Sequence, residues 1–384
     1  MPSEAKQSNL KVLVSVISFL LFLAAGVEVS RSQQPQWKEE WKRTVTAAKK
    51  EGKLVYHAGS ASAPYLREFQ KRYPEIKATR MLTRGGSAAA QRLMAERRAG
   101  LYASDILIMG GTSGTRLANA GVLDPLEPNF ILPEILDRSK WWGGKYHYLG
   151  KKSGYIFVFA MTPRPFTGYN TDLVKPASLK SYWDLLKPEW KGKMVALEPG
   201  RSVQGFLRFL YHNPKLGPNF LRQLLGKAGL TYSRSGRQVV DWLGAGKFAI
   251  ALFISPSRSG LVTAKSQGLP VDWFLPQHFN DGVPITGGPN NVSLVNRAPH
   301  PNAARLFINW FLSREGQTVA QKVGGVEGGT RGVGVDSLRI DIPKDDVPKA
   351  YRRLEGVKYL YTESPEFMNM EPIMELIKEA RRKR

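Results

Sequence analysis

Residues 53–87 read KLVYHAGSASAPYLREFQKRYPEIKATRMLTRGGS, and the periodicity of the apolar residues changes repeatedly along them. KLVYHA suits a strand, with Leu54, Val55 and Tyr56 in one apolar run. Ser62 is a capping residue, and Tyr65, Leu66, Phe69 and Tyr73 then recur at helical spacing. IKATRML predicts a second strand, closed by TRGGS. Working toward the C-terminus, AAAQRLMAERRAG predicts a helix ending at Gly100. SDILIM predicts a third strand, and GGTSG a loop before a short helix to Ala120. Toward the N-terminus, Trp37, Trp41, Val45 and Ala48 share one helical face that stops at Gly52. Strands alternating with helices of this length predict an α/β fold with a doubly wound sheet.

Each of these strands ends in a small, polar, glycine-containing stretch: HAGSAS, TRGGS and MGGTSG. In open α/β sheets, ligands sit beyond the carboxyl ends of the strands. Helix N-termini there offer free N–H groups and a positive dipole end. Ser60, Arg84, Gly86, Ser87, Gly111, Thr112 and Ser113 are therefore candidate ligand contacts.

The middle of the chain has a different texture. YIFVFA, at 155–160, predicts an apolar strand, and TPRPFTGYNTDLV interrupts it with two prolines. A second α/β region follows. SLKSYWDLLK predicts a helix, KMVALEPGRS a strand running into a loop, and VQGFLRFLYHN a helix with Val203, Leu207, Leu210 and Tyr211 on one face. FLRQLLGKAG and RQVVDWLGAGK predict two more helices. FAIALFI is a strand that opens onto SPSRSG at 255–260. VDWFLP leads into a Gly-, Pro- and Asn-rich loop, HFNDGVPITGGPNN. The strand VSLVN and the helix PNAARLFINWFLS follow it. The alternation breaks twice, where a chain crossing between two lobes is expected.

The 384 residues suffice for two lobes with cores of their own. The net charge of +24 raises nucleic acid or an anionic surface as partners. The Lys and Arg are scattered, however, and no basic motif is interleaved with aromatics. A solvated basic surface is the expectation, with no nucleic-acid partner. The absence of cysteine excludes disulfides, thiolate metal sites, cysteine nucleophiles and a lipidated N-terminal cysteine. Lys6 and Lys11 precede an apolar run from Val12 to Val27, the pattern of a secretory signal or an uncleaved anchor over 1–33. Lys6, Lys11 and Arg31 against Glu4 and Glu28 leave all but one unit of the net charge beyond that segment.

Catalytic patterns are missing. His57, His147, His212, His278 and His300 show no metal-ligand spacing. No P-loop occurs, and no GxGxxG follows a strand. PGRSVQG and GGTSG lack the final glycine of G-x-S-x-G in register. Glu198 stands alone before Pro199. Hydroxyls, amides, glycines and arginines hold a ligand by hydrogen bonds and offer no evident base or nucleophile. A binding protein, not an enzyme, is the expectation, with neither cofactor nor metal.

The stretch YNTDLVKPASLKSYWDLLKPEWKGKMVALEP, at 169–199, resembles the extracellular solute-binding proteins of ABC importers, family 1, in its ferric-iron-binding-like branch. LREFQKRYP, GLYASDILIMG and APHPNAARLFINWFLSREGQ support the resemblance, which spans roughly Val45 to Val323. It implies the two-lobed, type II periplasmic-binding-protein fold, each lobe a doubly wound mixed sheet, with a ligand cleft between lobes. Lobe 1 would comprise 37–155 and 281–328, and lobe 2 would comprise 156–280 and 329–384. It also implies an exported, periplasmic or extracytoplasmic monomer, and as partners an ABC permease and its ATPase, contacted at the membrane.

Iron-binding members of that branch hold ferric ion with adjacent tyrosines in the loop after the strand that here reads FAIALFI. Here that loop is ISPSRSG, and no Tyr–Tyr pair occurs anywhere in the chain. Direct ferric binding is not expected, although Tyr155, Tyr169 and Tyr232 keep it open as a rival. Arg258 offers instead a planar fork suited to phosphate or carboxylate. Ser255 and Ser257 flank it. Arg201 and Ser202 end another strand, although Ser202 also suits a helix cap. Asn290 and Asn291 sit where the chain returns to the first lobe. The expected solute is a small anion: an organic phosphate, a phosphonate or a carboxylate. An enzyme on the same fold is the remaining alternative.

Overall fold

This computed structural model describes residues 35–58, 63–81, 83, 86–150, 153–200, 203–255, 260–324, 326–327, 330–331, 335–349 and 351–382. The apolar segment within 1–33 and the capping position Ser62 lie outside the described residues. The chain divides into two compact units, Met1–Lys42 and Arg43–Arg384. The first unit, described from residue 35, carries the opening turns of α1 (Gln36–Glu51). All later elements belong to the second.

The anticipated alternation is present. β1 (Lys53–Ala58), α2 (Ala63–Arg72), β2 (Lys77–Met81), α3 (Gly86–Arg98), β3 (Ile106–Ile108) and α4 (Gly111–Asn119) come in order. The short strands β4 (Leu123–Asp124) and β5 (Phe157–Val158) follow. Next come β6 (Thr162–Pro163), β7 (Thr167–Asn170), β8 (Met194–Leu197), α5 (Gln204–His212), α6 (Gly217–Lys227), β9 (Thr231–Ser233), α7 (Gly236–Gly244), β10 (Ile250–Leu252), α8 (Leu261–Ser266) and β11 (Val271–Trp273). The chain ends with β12 (Val283–Thr286), β13 (Asn291–Val295), α9 (Pro301–Leu312), α10 (Arg314–Val323), the pair β14 (Val326–Glu327) and β15 (Thr330–Arg331), β16 (Tyr359–Tyr361) and α11 (Glu371–Arg382).

Two mixed sheets organise these elements. The first runs β2-β1-β3-β13-β4, with β5 also on β13. Its β1 pairs parallel with β2 and β3, whereas β13 lies antiparallel to its neighbours. The second runs β11-β7-β10-β8-β9, with β8, β9 and β10 parallel and β7 antiparallel to β10 and β11. The chain passes between the sheets after β5 and again between β12 and β13. At those crossings β12 pairs antiparallel with β6, and β16 adds to it in parallel.

α9 is apolar nearly all round and buried along almost its whole length, so it serves as a central helix of the first lobe. Its Asn309 is fully buried yet satisfied, taking a bond from Ile131 N at 2.7 Å and donating to Asn129 O at 2.8 Å. The second core gathers around Phe166, Tyr182, Phe206, Phe209 and Phe253, and Ile373, Leu376 and Ile377 of α11 pack into it.

Three expectations need correction. HFNDGVPITGGPNN is not loop throughout: its apolar VPIT is β12, held between β6 and β16. SLKSYWDLLK forms a 3-10 turn over Tyr182–Leu186 in place of an α-helix. Ser181 and Asp184 close a capping box at its start, and Pro188 holds Lys187 extended at φ −62°, ψ 145°, which ends the turn. YIFVFA ladders only at Phe157–Val158. Its later residues spend their backbone groups on loops instead, as with Phe159 N to Asn290 O and Leu338 N to Phe159 O.

Candidate functional site

The stretches read as glycine turns are partly the first turns of helices. α3 starts at Gly86 and α4 at Gly111. Their starts are pressed together: a Cβ on Gly86 would lie 2.9 Å from Ser113 Oγ. Gly110 precedes α4 in an extended conformation, with no side-chain cap. The N–H groups of Gly111 and Thr112 thus lack helical acceptors. α5 starts in the same way, since Val203 supplies no side-chain cap either.

Both helix starts line one cavity of about 480 Å³. Gly111, Thr112 and Thr115 come from α4, and Gln204, Gly205 and Arg208 from α5. Residues 204 and 208 are four apart and share a helix face. The crossings contribute Arg164, Thr286 and Gly288, and the C-terminal segment contributes Thr362, Glu363 and Met368. The cavity therefore lies between the two lobes and against the crossings that join them.

Arg208 is 8% exposed. Its Nη1 donates to Thr362 O at 3.0 Å and its Nε to Met370 Sδ at 3.3 Å, and it has no ion pair among the described residues. Burial draws its pKa below the ordinary guanidinium value, and Glu363 opposes that shift. Glu363 is half-buried, and its Oε2 accepts from Gly287 N at 2.9 Å and Gly288 N at 3.4 Å. Thr286 Oγ1 accepts a further bond from Gly288 N at 3.1 Å. Among the described residues the wall thus holds two guanidinium groups, two positive helix ends and one carboxylate bound to backbone N–H groups. That balance favours an anion.

Of the residues singled out in the sequence, Gly111 and Thr112 line this cavity, and Ser113 and Gly86 buttress the start of α4 beside it. Ser87 is exposed in the first turn of α3. Asn290 and Asn291 are buried, and Asn291 Nδ2 donates to Met109 O at 3.1 Å and Gly288 O at 2.8 Å. Asn291 thereby ties the end of β3 to the crossing loop. Ser255 is half-buried and does not line the cavity. The strand before it turns at Phe253, whose φ of 60° is left-handed for a bulky residue and costs about 1–2 kcal/mol. Ser60, Arg84, Arg201, Ser202, Ser257 and Arg258 lie outside the described residues.

Sequence reading missed Arg164, Arg208 and Glu363. Arg208 sits inside an apolar helix pattern, and Glu363 lies in the C-terminal segment. No tyrosine lines the cavity among the described residues, Tyr155, Tyr169 and Tyr232 included. Among the described residues, no group of three or more His, Cys, Asp or Glu is placed to hold a metal ion. None of the described helices is long and apolar enough to cross a membrane.

The model of the bacterial extracellular solute-binding protein family matches residues 55–318, more than half of the chain. The chain belongs to that family. As a solute-binding protein it shares 28% identity over 189 residues with an Fe(3+)-binding periplasmic protein of Serratia marcescens, covering 47% of this chain and 54% of that one. The match thus spans about half the length of that curated relative. A Trichodesmium protein (IdiA, FutA) solved with iron and citrate superposes with a TM-score of 0.60 at 17% identity, over 86% of this chain and 99% of that one. The periplasmic binding protein AfuA of Actinobacillus pleuropneumoniae, solved with fructose-6-phosphate bound, gives 0.51 at 17% identity, over 85% and 96%. The fold of this solute-binding protein is accordingly the two-lobed type II fold of periplasmic binding proteins.

Proposed function

We propose that the protein is the extracytoplasmic solute receptor of an ABC importer and that its solute is a small organic anion, such as a phosphate ester, phosphonate or carboxylate. Arg208 carries this reading. Its burial is costly, Glu363 offsets that cost only in part, and an anion entering the cavity would offset more of it. The uncapped starts of α4 and α5 add N–H donors and positive dipole ends, one from each lobe. Lobe 1 (37–155 and 281–328) and lobe 2 (156–280 and 329–384) would close over the solute and present a joint surface to a permease and its ATPase. Binding without catalysis is part of the reading; among the described residues the cavity wall pairs no acid with a base. The loop with Ser257 and Arg258 belongs to the proposal on sequence grounds, as do Arg84, Arg201 and Ser202.

Iron-bound relatives favour a second reading, in which the anion is a carboxylate chelate of ferric iron. Mass spectrometry of small molecules released from the purified protein separates the two. A co-purified organic anion without iron supports the first. Stoichiometric iron, with a visible charge-transfer band on adding ferric citrate, supports the second. Release of neither, together with no anion-induced rise in melting temperature, contradicts both.

A further inference from the structure

Three of the nine methionines lie close together in the C-terminal segment: Met368, Met370 and Met374. Met368 and Met374 are exposed, and Met370 is half-buried between the exposed Asn369 and Glu371. Met109, Met161 and Met194, by contrast, are buried in the cores. Met368 borders the anion cavity. Met370 touches the cavity's arginine, since its Sδ accepts from Arg208 Nε at 3.3 Å.

That sulfur holds a particular edge of the guanidinium. Arg208 Nη1 donates to Thr362 O, and Nη2 has no protein partner among the described residues. A carboxylate or phosphate takes two parallel N–H bonds from one edge of a guanidinium. The edge formed by Nε and Nη2 is held only by a thioether, which is a weak acceptor. An anion can displace such a partner with little loss. A sulfoxide in its place changes both terms. Its oxygen is a strong acceptor that keeps the Nε–H, and its partial negative charge offsets the guanidinium charge an anion would meet.

We propose that Met370 is a redox modification site: its oxidation to the sulfoxide by a peroxide lowers the affinity of the cavity for its anionic solute. This inference rests on the anion reading of that cavity. In the step, the Met370 sulfur gives an electron pair to one oxygen of hydrogen peroxide and the O–O bond breaks. The departing hydroxide takes the proton of the transferred hydroxyl and leaves as water. The thioether is oxidised to a sulfoxide and the peroxide is reduced. Methionine sulfoxide reductases reverse the change.

The test treats the full chain with hydrogen peroxide, maps the sulfoxides by peptide mass spectrometry, and titrates inorganic phosphate, glucose 6-phosphate and citrate by calorimetry before and after. Met370 is expected to gain an oxygen. Affinity for the anion bound by the untreated protein should fall roughly tenfold or more, and return after treatment with both reductases. Met368→Leu combined with Met374→Leu keeps Met370 and should show the same fall. Met370→Leu has similar volume and no sulfur, and should show no fall relative to its own untreated form. Circular dichroism of the oxidised, solute-free protein separates lost binding from lost fold. Four results overturn the proposal: Met370 stays reduced where Met368 and Met374 are fully oxidised; the affinity survives complete oxidation of Met370; Met370→Leu loses affinity on oxidation as the wild type does; or the oxidised protein is unfolded at the temperature of the titration. Untreated protein that binds none of these anions overturns the anion reading, and this inference with it.

Discussion

A guanidinium that is nine-tenths buried and in no ion pair gives up hydration with only partial return. Arg208 is in that position, and Met is close to it in length and apolar. Arg208→Met is therefore expected to leave the urea midpoint of the solute-free protein unchanged or raised, because replacing a poorly compensated buried charge by an apolar side chain is often neutral or stabilising. A marked loss of stability would mean that the bonds to Thr362 O and Met370 Sδ matter more than the desolvation they offset. The residue was not legible in VQGFLRFLYHN, where it looks like one polar position in an amphipathic helix. Its burial depends on Thr362, 154 positions along the chain, and nothing local encodes that contact. Thr112, by contrast, was legible, since a glycine-flanked hydroxyl after a buried strand is a local signal. Gly86 and Gly111 were legible as special positions but not as helical ones, because a glycine-rich first turn looks the same as a loop until the following residues pack.

At the scale of elements, strands and helices follow from apolar periodicity wherever one face is buried, and this covers β1 through α4, the helices α5, α6 and α7, and α9. The reading failed at SLKSYWDLLK, where helical spacing is present but Pro188 cuts the segment below the length an α-helix needs. The C-terminal segment carried the weakest signal and turned out to border the anion cavity. It is pinned by ion pairs that no local pattern announces. Asp336 is 1% exposed and receives Arg353 Nε at 2.7 Å and Arg353 Nη2 at 2.9 Å, with Lys344 Nζ at 3.3 Å. Burial pulls the Lys344 pKa down to about 8, and Asp336 acts against that shift. Asp336→Asn would leave two buried cations without their anion. We expect a loss of about 3–5 kcal/mol in urea denaturation. A loss below 1 kcal/mol would show that this segment is not anchored by the cluster.

For the whole molecule, four histidines respond to acid in the same direction. Burial lowers the pKa of His57, His147, His212 and His278. In the unfolded chain each titrates near its usual value of about 6.5. Below that pH the unfolded state binds more protons than the folded one, so stability is full above about pH 6.5 and falls as the pH drops through the lowered values. The melting temperature should be lower at pH 5 than at pH 7.5, and His147→Gln should reduce the difference. No change between the two pH values would contradict the burial of these rings. Solute-driven closure is the other global property, and it needs a ligand that binds both walls of the cleft.

The most direct test is therefore a thermal-shift series with inorganic phosphate, glucose 6-phosphate, citrate and ferric citrate, run side by side on the wild-type protein and Arg208→Met. An anion present at 100 times its dissociation constant should stabilise the wild type by roughly 2.7 kcal/mol, and that gain should vanish in Arg208→Met. An equal shift in both proteins, or no shift with any anion in the wild type, would contradict the account.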